Sequence, residues 1–319
     1  PARLYNPDFG WETNKKFEIG LETGFLKDRI FLTASWYSNR SSNQLTGMPL
    51  PGTTGFTSMT ANLDATVANT GTELTLRTVN FQRKNFSWIT SINLTVAKNE
   101  LLSFPDLESS VYKNMYVIGE PLNIKKVYHS TGVDPQTGLY TFEDMNGDGA
   151  ITTSDKTAVV DLSPKYYGGF QNSLRYKRWQ LDFLFQFVKQ YNYNETAFFF
   201  LPGMMSNQPV SALDHWQQPG DVATHQLYTD GMNFEAFDKY DQYYNSDAAI
   251  SDASYVRLKN LSLSFDVPEN LLKTIKCKLF FEGQNLLTLT KYTGADPEFK
   301  ASGYLSPLRV LSAGVQLSF

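Results

Sequence analysis

Nine long stretches of the chain alternate apolar and polar residues with the period of two that an extended strand imposes. They cover 15–26, 29–40, 71–81, 85–98, 167–176, 179–189, 254–265, 276–287 and 308–319. In the first, Phe17, Ile19, Leu21 and Phe25 share one face, and Glu18, Gly20, Glu22 and Gly24 the other. In 179–189, Trp179, Leu181, Phe183, Phe185 and Phe187 oppose Gln180, Asp182 and Gln186. The alternation slips once, near 257–260, where a bulge or a rim position is expected. The last stretch, "RVLSAGVQLSF", keeps its pattern to the final residue, Phe319.

The lengths and the spacing of these stretches carry more than the alternation does. Strands of soluble domains centre on about 5–6 residues, whereas a tilted strand crossing a bilayer needs about 9–11. Connections also alternate in size. Tight turns at 26–28, 82–84 and 177–178 and a modest one at 267–275 trade places with excursions at 41–70, 99–166, 190–253 and 288–307. Long loops without helical patterning are foreign to a compact soluble domain and expected of an outer-membrane barrel. The apolar faces of 17–25, 30–36, 86–96 and 179–187 carry no charge. These features predict an all-β fold: an antiparallel transmembrane β-barrel segment of about nine strands with long extracellular loops. A soluble sheet that buries the same faces is the alternative.

Composition narrows the partners. The formal net charge is −4 with no basic run, so no nucleic acid is expected. Cys277 stands alone, which excludes an intrachain disulfide and a thiolate metal cluster. No helix-forming apolar run reaches the ~18 residues of a membrane span, a statement that leaves barrels untouched. No nucleophile elbow, phosphate loop, dinucleotide fingerprint or zinc-protease motif occurs, and His129, His215 and His225 lack metal-ligand spacing. The chain is not expected to be an enzyme. An odd number of strands cannot close an antiparallel barrel, so residues 1–319 are expected to be the C-terminal part of a larger one. Polar side chains such as Glu18, Glu22, Asn93, Asp182 and Gln186 would then line its lumen.

One stretch has the look of a metal site. In "DMNGDGAITTSD" (144–155), within the 99–166 loop, Asp144, Asn146 and Asp148 occupy positions 1, 3 and 5 of an EF-hand-like loop. Gly149 supplies the turn, Ala150 a carbonyl at 7 and Asp155 a carboxylate at 12. Oxygen donors at this spacing suit a structural Ca2+, with Mg2+ as alternative because Asp155 is shorter than the usual Glu. A turn rich in Asp and Asn that binds nothing is the competing account.

Several strings resemble one family in its order. "NPDFGWETNKKFEIGLETGFLKDRIFLTASWYSNRSSNQL", "NTGTELTLR", "STGVDPQTGLYTFEDMNGDGAITTSDK", "PKYYGGFQNSLRYKRWQLDFLFQF", "HWQQPGD", "SYVRLKNLSLSFDVP", "FEGQNLLTLTKYTGADPEF" and the terminal string together resemble the barrel of SusC/RagA-type TonB-dependent transporters of Bacteroidota. The resemblance spans essentially the whole chain. It implies a 22-stranded barrel in the outer membrane, with the C-terminus at the periplasmic side. The family's signal peptide, TonB box, plug and early strands have no counterpart in this sequence. It further implies uptake of oligosaccharides or peptides, a SusD-like surface lipoprotein as lid and the TonB complex as energy source. Loop aromatics Tyr112, Tyr116, Trp216, Tyr243 and Tyr244 are candidates for contact with substrate or lid, or are loop-core residues. Phe319 would be the signal read by the barrel-assembly machinery, or an anchor at the lipid interface. Rival readings are a TonB-dependent receptor for iron chelates or cobalamin, and a soluble, calcium-stabilised carbohydrate-binding β-protein.

Overall fold

The computed structural model describes residues 4–195, 201–268, 275–299 and 305–318. Phe319, the expected assembly signal, lies outside them. One antiparallel sheet of nine strands dominates. Its members in order are β1 (Thr13–Phe25), β2 (Ile30–Pro49), β3 (Ser58–Arg83), β4 (Phe86–Ser103), β9 (Tyr166–Tyr176), β10 (Trp179–Lys189), β13 (Tyr255–Asp266), β14 (Lys276–Thr290) and β15 (Val310–Ser318). The remaining strands are short and lie in the two longest connections. These are β5 (Ile124–Val127), β6 (Ser130–Val133), β7 (Tyr140–Phe142) and β8 (Ala158–Asp161) in one, and β11 (Tyr191–Tyr193) and β12 (Ile250–Asp252) in the other.

Directly opposed residues of an antiparallel pair share a face, so the register follows each face across the sheet. One row runs Leu21, Ala34, Leu74, Leu94, Gly168, Phe187, Val256, Leu289. A neighbouring row runs Thr23, Leu32, Leu76, Ile92, Phe170, Phe185, Leu258, Leu287. Neither contains a charge. On the other face, Glu22, Thr33, Thr75, Asn93, Gly169, Gln186, Arg257 and Thr288 form a polar row. The polar row thus contains Glu22, Asn93 and Gln186 as the alternation predicts. The slip near 257–260 is a bulge, with the register shifting between Leu258 and Asn260. Gly71 has a local reason: a β-carbon there would collide with the phenol of Tyr37, its cross-strand partner.

The apolar face remains open to its surroundings at mid-span. On inner strands Leu74 is 37% exposed, Phe281 40% and Leu279 43%, and among the described residues no second layer covers them. The buried clusters lie instead among the connections, around Leu101 and Phe104 and around Tyr128, Tyr140 and Phe142. A sandwich would bury these faces in a second layer; a barrel wall presents them to lipid.

Two expectations about the connections need correction. Residues 41–70 are largely a continuation of the β2/β3 hairpin, which pairs from Pro49↔Ser58 inward through a bulge beside Asn43. Alternation is hard to read there because its apolar members are small. Ala61 and Ala65 are buried, and Leu101, Phe104 and Leu107 pack with Ala65. The connection 190–253 also holds a helix, α1 (Phe234–Tyr244), capped by the Asn233 side chain accepting from the Ala236 N–H at 3.1 Å. Its aromatics Tyr240, Tyr243 and Tyr244 do fall at the i, i+3, i+4 spacing of a helix face, a signal only about one turn long inside a polar connection.

Candidate functional site

All long connections emerge from one end of the sheet, and the two largest fold against each other. Tyr128 donates its N–H to the Asn245 carbonyl at 3.0 Å, and Asp247 returns one to Tyr128 at 2.9 Å. Tyr140, fully buried, stacks on Tyr243 with ring centroids 3.9 Å apart and 9° between planes. Its hydroxyl lies 3.1 Å from Nδ1 of His225. Burial pushes the phenol of Tyr140 well above its ordinary range and that of Tyr240 up to about 12, and holds the His225 imidazole below its usual value. At the edge of this unit, His129 Nδ1 sits 2.5 Å from Asp247, whose hydrogen bond raises the imidazole pKa. The excursions therefore form one folded crown with its own aromatic core.

That core accounts for most of the predicted contact aromatics. Tyr112 and Tyr116 pack with Phe104, Leu101 and Ala65, with Tyr112 5.7 Å from Phe104 and 5.9 Å from Tyr116. Trp216 donates from Nε1 to the Pro135 carbonyl at 2.9 Å. Its ring occupies the space where a β-carbon on Gly138 would stand, and Gly138 needs its positive φ of 71° as well. Tyr243 belongs to the Tyr140 stack. Tyr244, half-exposed and 6.1 Å from the Tyr193 ring, is the one with a face still open. The five do not converge on one pocket.

The 144–155 loop is a web of side-chain to backbone hydrogen bonds. Asp144 accepts from the N–H groups of Gly147 and Gly149 at 2.7 and 2.8 Å, and Asp148 from Ala150 at 2.8 Å. Asp155, enclosed by its own loop, accepts from Thr152 at 2.8 Å, Met145 at 3.0 Å and Asn146 at 3.3 Å. These N–H groups, that of Thr152 foremost, hold its carboxyl below the usual range. Among the described residues no group of three or more His, Cys, Asp or Glu converges as a metal-holding cluster. The donor types at 144, 146, 148, 150 and 155 suit a hard cation, and Asp144 and Asp155 each have both oxygens accepting from N–H groups of the loop itself.

Sequence reasoning missed the rim latch. Arg257, on the polar face of β13 and only 1% exposed, reaches Asp296 at 2.6 Å, Glu298 at 2.7 Å and Thr288 Oγ1 at 3.0 Å. The connection after β14 is tied down further by Gln190 Nε2 donating to the Pro297 carbonyl at 2.6 Å and by Asn192 Nδ2 donating to that of Phe299 at 3.0 Å. The slip in alternation at Arg257 was the available clue; its partners lie 39 and 41 residues away.

Membrane-length strands with one uncharged face, a charged opposite face and a folded crown at one end define a transmembrane β-barrel wall. Residues 1–286 match the TonB dependent receptor-like, beta-barrel family, and the chain belongs to it. Among its relatives, TonB-dependent receptor P3 of Formosa agariphila is 28% identical over 92% of this chain and 31% of its own length. TonB-dependent receptor SusC of Bacteroides thetaiotaomicron is 25% identical over 94% of this chain and 31% of its own. The solved structure of the RagAB peptide transporter superposes with a TM-score of 0.80 at 25% identity, covering 98% of this chain and 36% of that one. The chain thus spans about a third of the length of these relatives. Membership of this family implies the outer membrane.

Proposed function

We propose that this chain forms the C-terminal barrel wall and loop crown of a SusC-like importer that takes up oligosaccharides or peptides. A SusD-like lipoprotein serves as its lid, and the TonB complex acts on parts of the barrel outside this chain. The observation that carries the reading is the agreement with the RagAB peptide transporter over 98% of the chain, which includes the loop crown as well as the strands. The packed crown adds to it, because folded loops at one rim suit a surface that must engage a lid and cargo. Nothing in the geometry favours an iron chelate or a cobalamin.

The test is disruption of the parent gene in its host, followed by growth and uptake with labelled oligosaccharides and with labelled peptides. Affinity purification of the parent from outer-membrane extract is done alongside. Loss of uptake of one cargo class, with a surface lipoprotein co-purifying, is the expected outcome. Unchanged uptake of both classes with no lipoprotein recovered would overturn the reading.

A structural divalent ion at 144–155 is a separate part of the proposal, held by Asp144, Asn146, Asp148, the Ala150 carbonyl and Asp155. Calorimetric titration of the parent with Ca2+ and Mg2+, against an Asp144→Asn variant, tests it. Heat abolished by the variant supports an ion, and identical traces support the hydrogen-bonded turn alone.

A further inference from the structure

The end of the sheet opposite the crown carries a feature that the importer reading does not use. Four hairpins turn there; the three whose turns lie wholly among the described residues join β1 to β2, β3 to β4 and β9 to β10, and these six strands are consecutive in the sheet. Each of these three turns places two cations at the rim: Lys27 and Arg29, Arg83 and Lys84, Lys177 and Arg178. All six side chains are exposed, and Asp28 is the one acid among them. The ion pairs of the described residues use other cations, including Arg175 with the nearest strand-end acid, Asp266, at 3.7 Å. The chain as a whole has a formal charge of −4, so a positive rim does not follow from composition.

The position of these cations defines what they meet. At about 4.8 Å per strand, successive hairpins stand roughly 10 Å apart along the rim. Immediately above them, on the apolar face, lies an aromatic band. Phe81 stacks on Trp88 at 6.3 Å, and Trp179 packs against Phe265 at 4.6 Å. Lys177 Nζ sits 5.4 Å from the centre of the Tyr176 ring. Aromatic girdles mark the depth of the headgroups in membrane barrels, and cations just beyond that depth face lipid phosphates.

Resting on the membrane placement of the barrel, we infer that this turn-end rim binds the phosphate headgroups of anionic phospholipids in the adjoining leaflet. Each cation near an anionic surface is worth roughly a fivefold change in partition. Neutralising four should therefore cost at least about tenfold after screening by salt.

The experiment uses the full-length parent, reconstituted in nanodiscs of phosphatidylcholine with and without phosphatidylglycerol, and native mass spectrometry of the lipids it retains. The wild type should keep phosphatidylglycerol in preference to phosphatidylcholine. A variant with Arg83→Gln, Lys84→Gln, Lys177→Gln and Arg178→Gln should lose that preference by tenfold or more. A crown-side control, Lys113→Gln with Lys125→Gln, should keep it. Heat-modifiable migration checks folding, and Lys84→Gln with Lys177→Gln replaces the fourfold variant if assembly fails. Equal retention by wild type and rim variant overturns the inference, as does loss in the crown control. Displacement by inorganic phosphate would indicate a small-anion site, and phosphatidylglycerol indifference with a bound acidic protein a different partner; either overturns it. Lipid preference that survives when uptake is absent would count against the importer reading alone.

Discussion

Arg257 is the residue whose removal should have the largest local effect. Its guanidinium is buried and neutralises Asp296 and Glu298 while its Nε donates to Thr288. Replacing it with Met keeps most of the side-chain volume and strands Asp296, itself only 10% exposed at the side chain, without a counter-charge. Breaking a buried pair from one side costs about 3–5 kcal/mol. Glu298 is 36% exposed and recovers much of its hydration, so the low end, about 3 kcal/mol, is the working figure. At 1.4 kcal/mol per factor of ten, opening of 291–299 should become about a hundredfold more frequent. Hydrogen exchange with mass spectrometry on the detergent-solubilised parent reads this directly as faster exchange in that segment, with the β13 and β14 ladders unchanged. Arg257→Lys should recover only part, since an ammonium cannot span two carboxylates as a planar fork does. Combining Arg257→Met with Asp296→Asn and Glu298→Gln should exchange more slowly than Arg257→Met alone. A change under threefold in Arg257→Met would refute the latch.

Other consequences are equally measurable. Leu94→Arg puts a charge in the middle of the uncharged face and should lower barrel stability by about 2–4 kcal/mol, read as loss of the heat-modifiable folded band; Asn93→Arg, on the polar face, should be tolerated better. Asn172, 2% exposed, accepts from Trp88 Nε1 at 2.9 Å and Thr90 Oγ1 at 2.8 Å on the uncharged face. Asn172→Ala orphans both donors at about 1–3 kcal/mol, and denaturant titration in detergent should show it. Because Asp247 raises the His129 pKa, the folded crown binds that proton more tightly than the unfolded chain. The contribution is complete below the ordinary histidine value and fades as pH rises through the raised one. Proteolysis of the crown should therefore quicken above neutral pH, and His129→Gln should remove the pH dependence.

How much of this was legible beforehand differs sharply between sheet and crown. Alternation placed all nine sheet strands and sorted their faces, down to the bulge beside Lys259. It failed at 41–70, where small residues mute the contrast between faces, and at α1, whose short i, i+3, i+4 set of aromatics a period of two does not register. The contact role expected of Tyr112, Tyr116, Trp216 and Tyr243 competes with a packing role that only their neighbours reveal.

The sequence by itself determined the period-two faces, the uncharged side of the wall, the tight turns and the family. Each is a local property, because a strand's side chains alternate by backbone geometry and each face answers to its own solvent. Tertiary structure alone decided that the loops form one crown and that Arg257 latches the rim. Those outcomes join residues far apart in the chain, 85 positions between Tyr140 and His225 and 39 between Arg257 and Asp296. No short-range pattern records such pairs; they follow from which strand ends the sheet brings side by side.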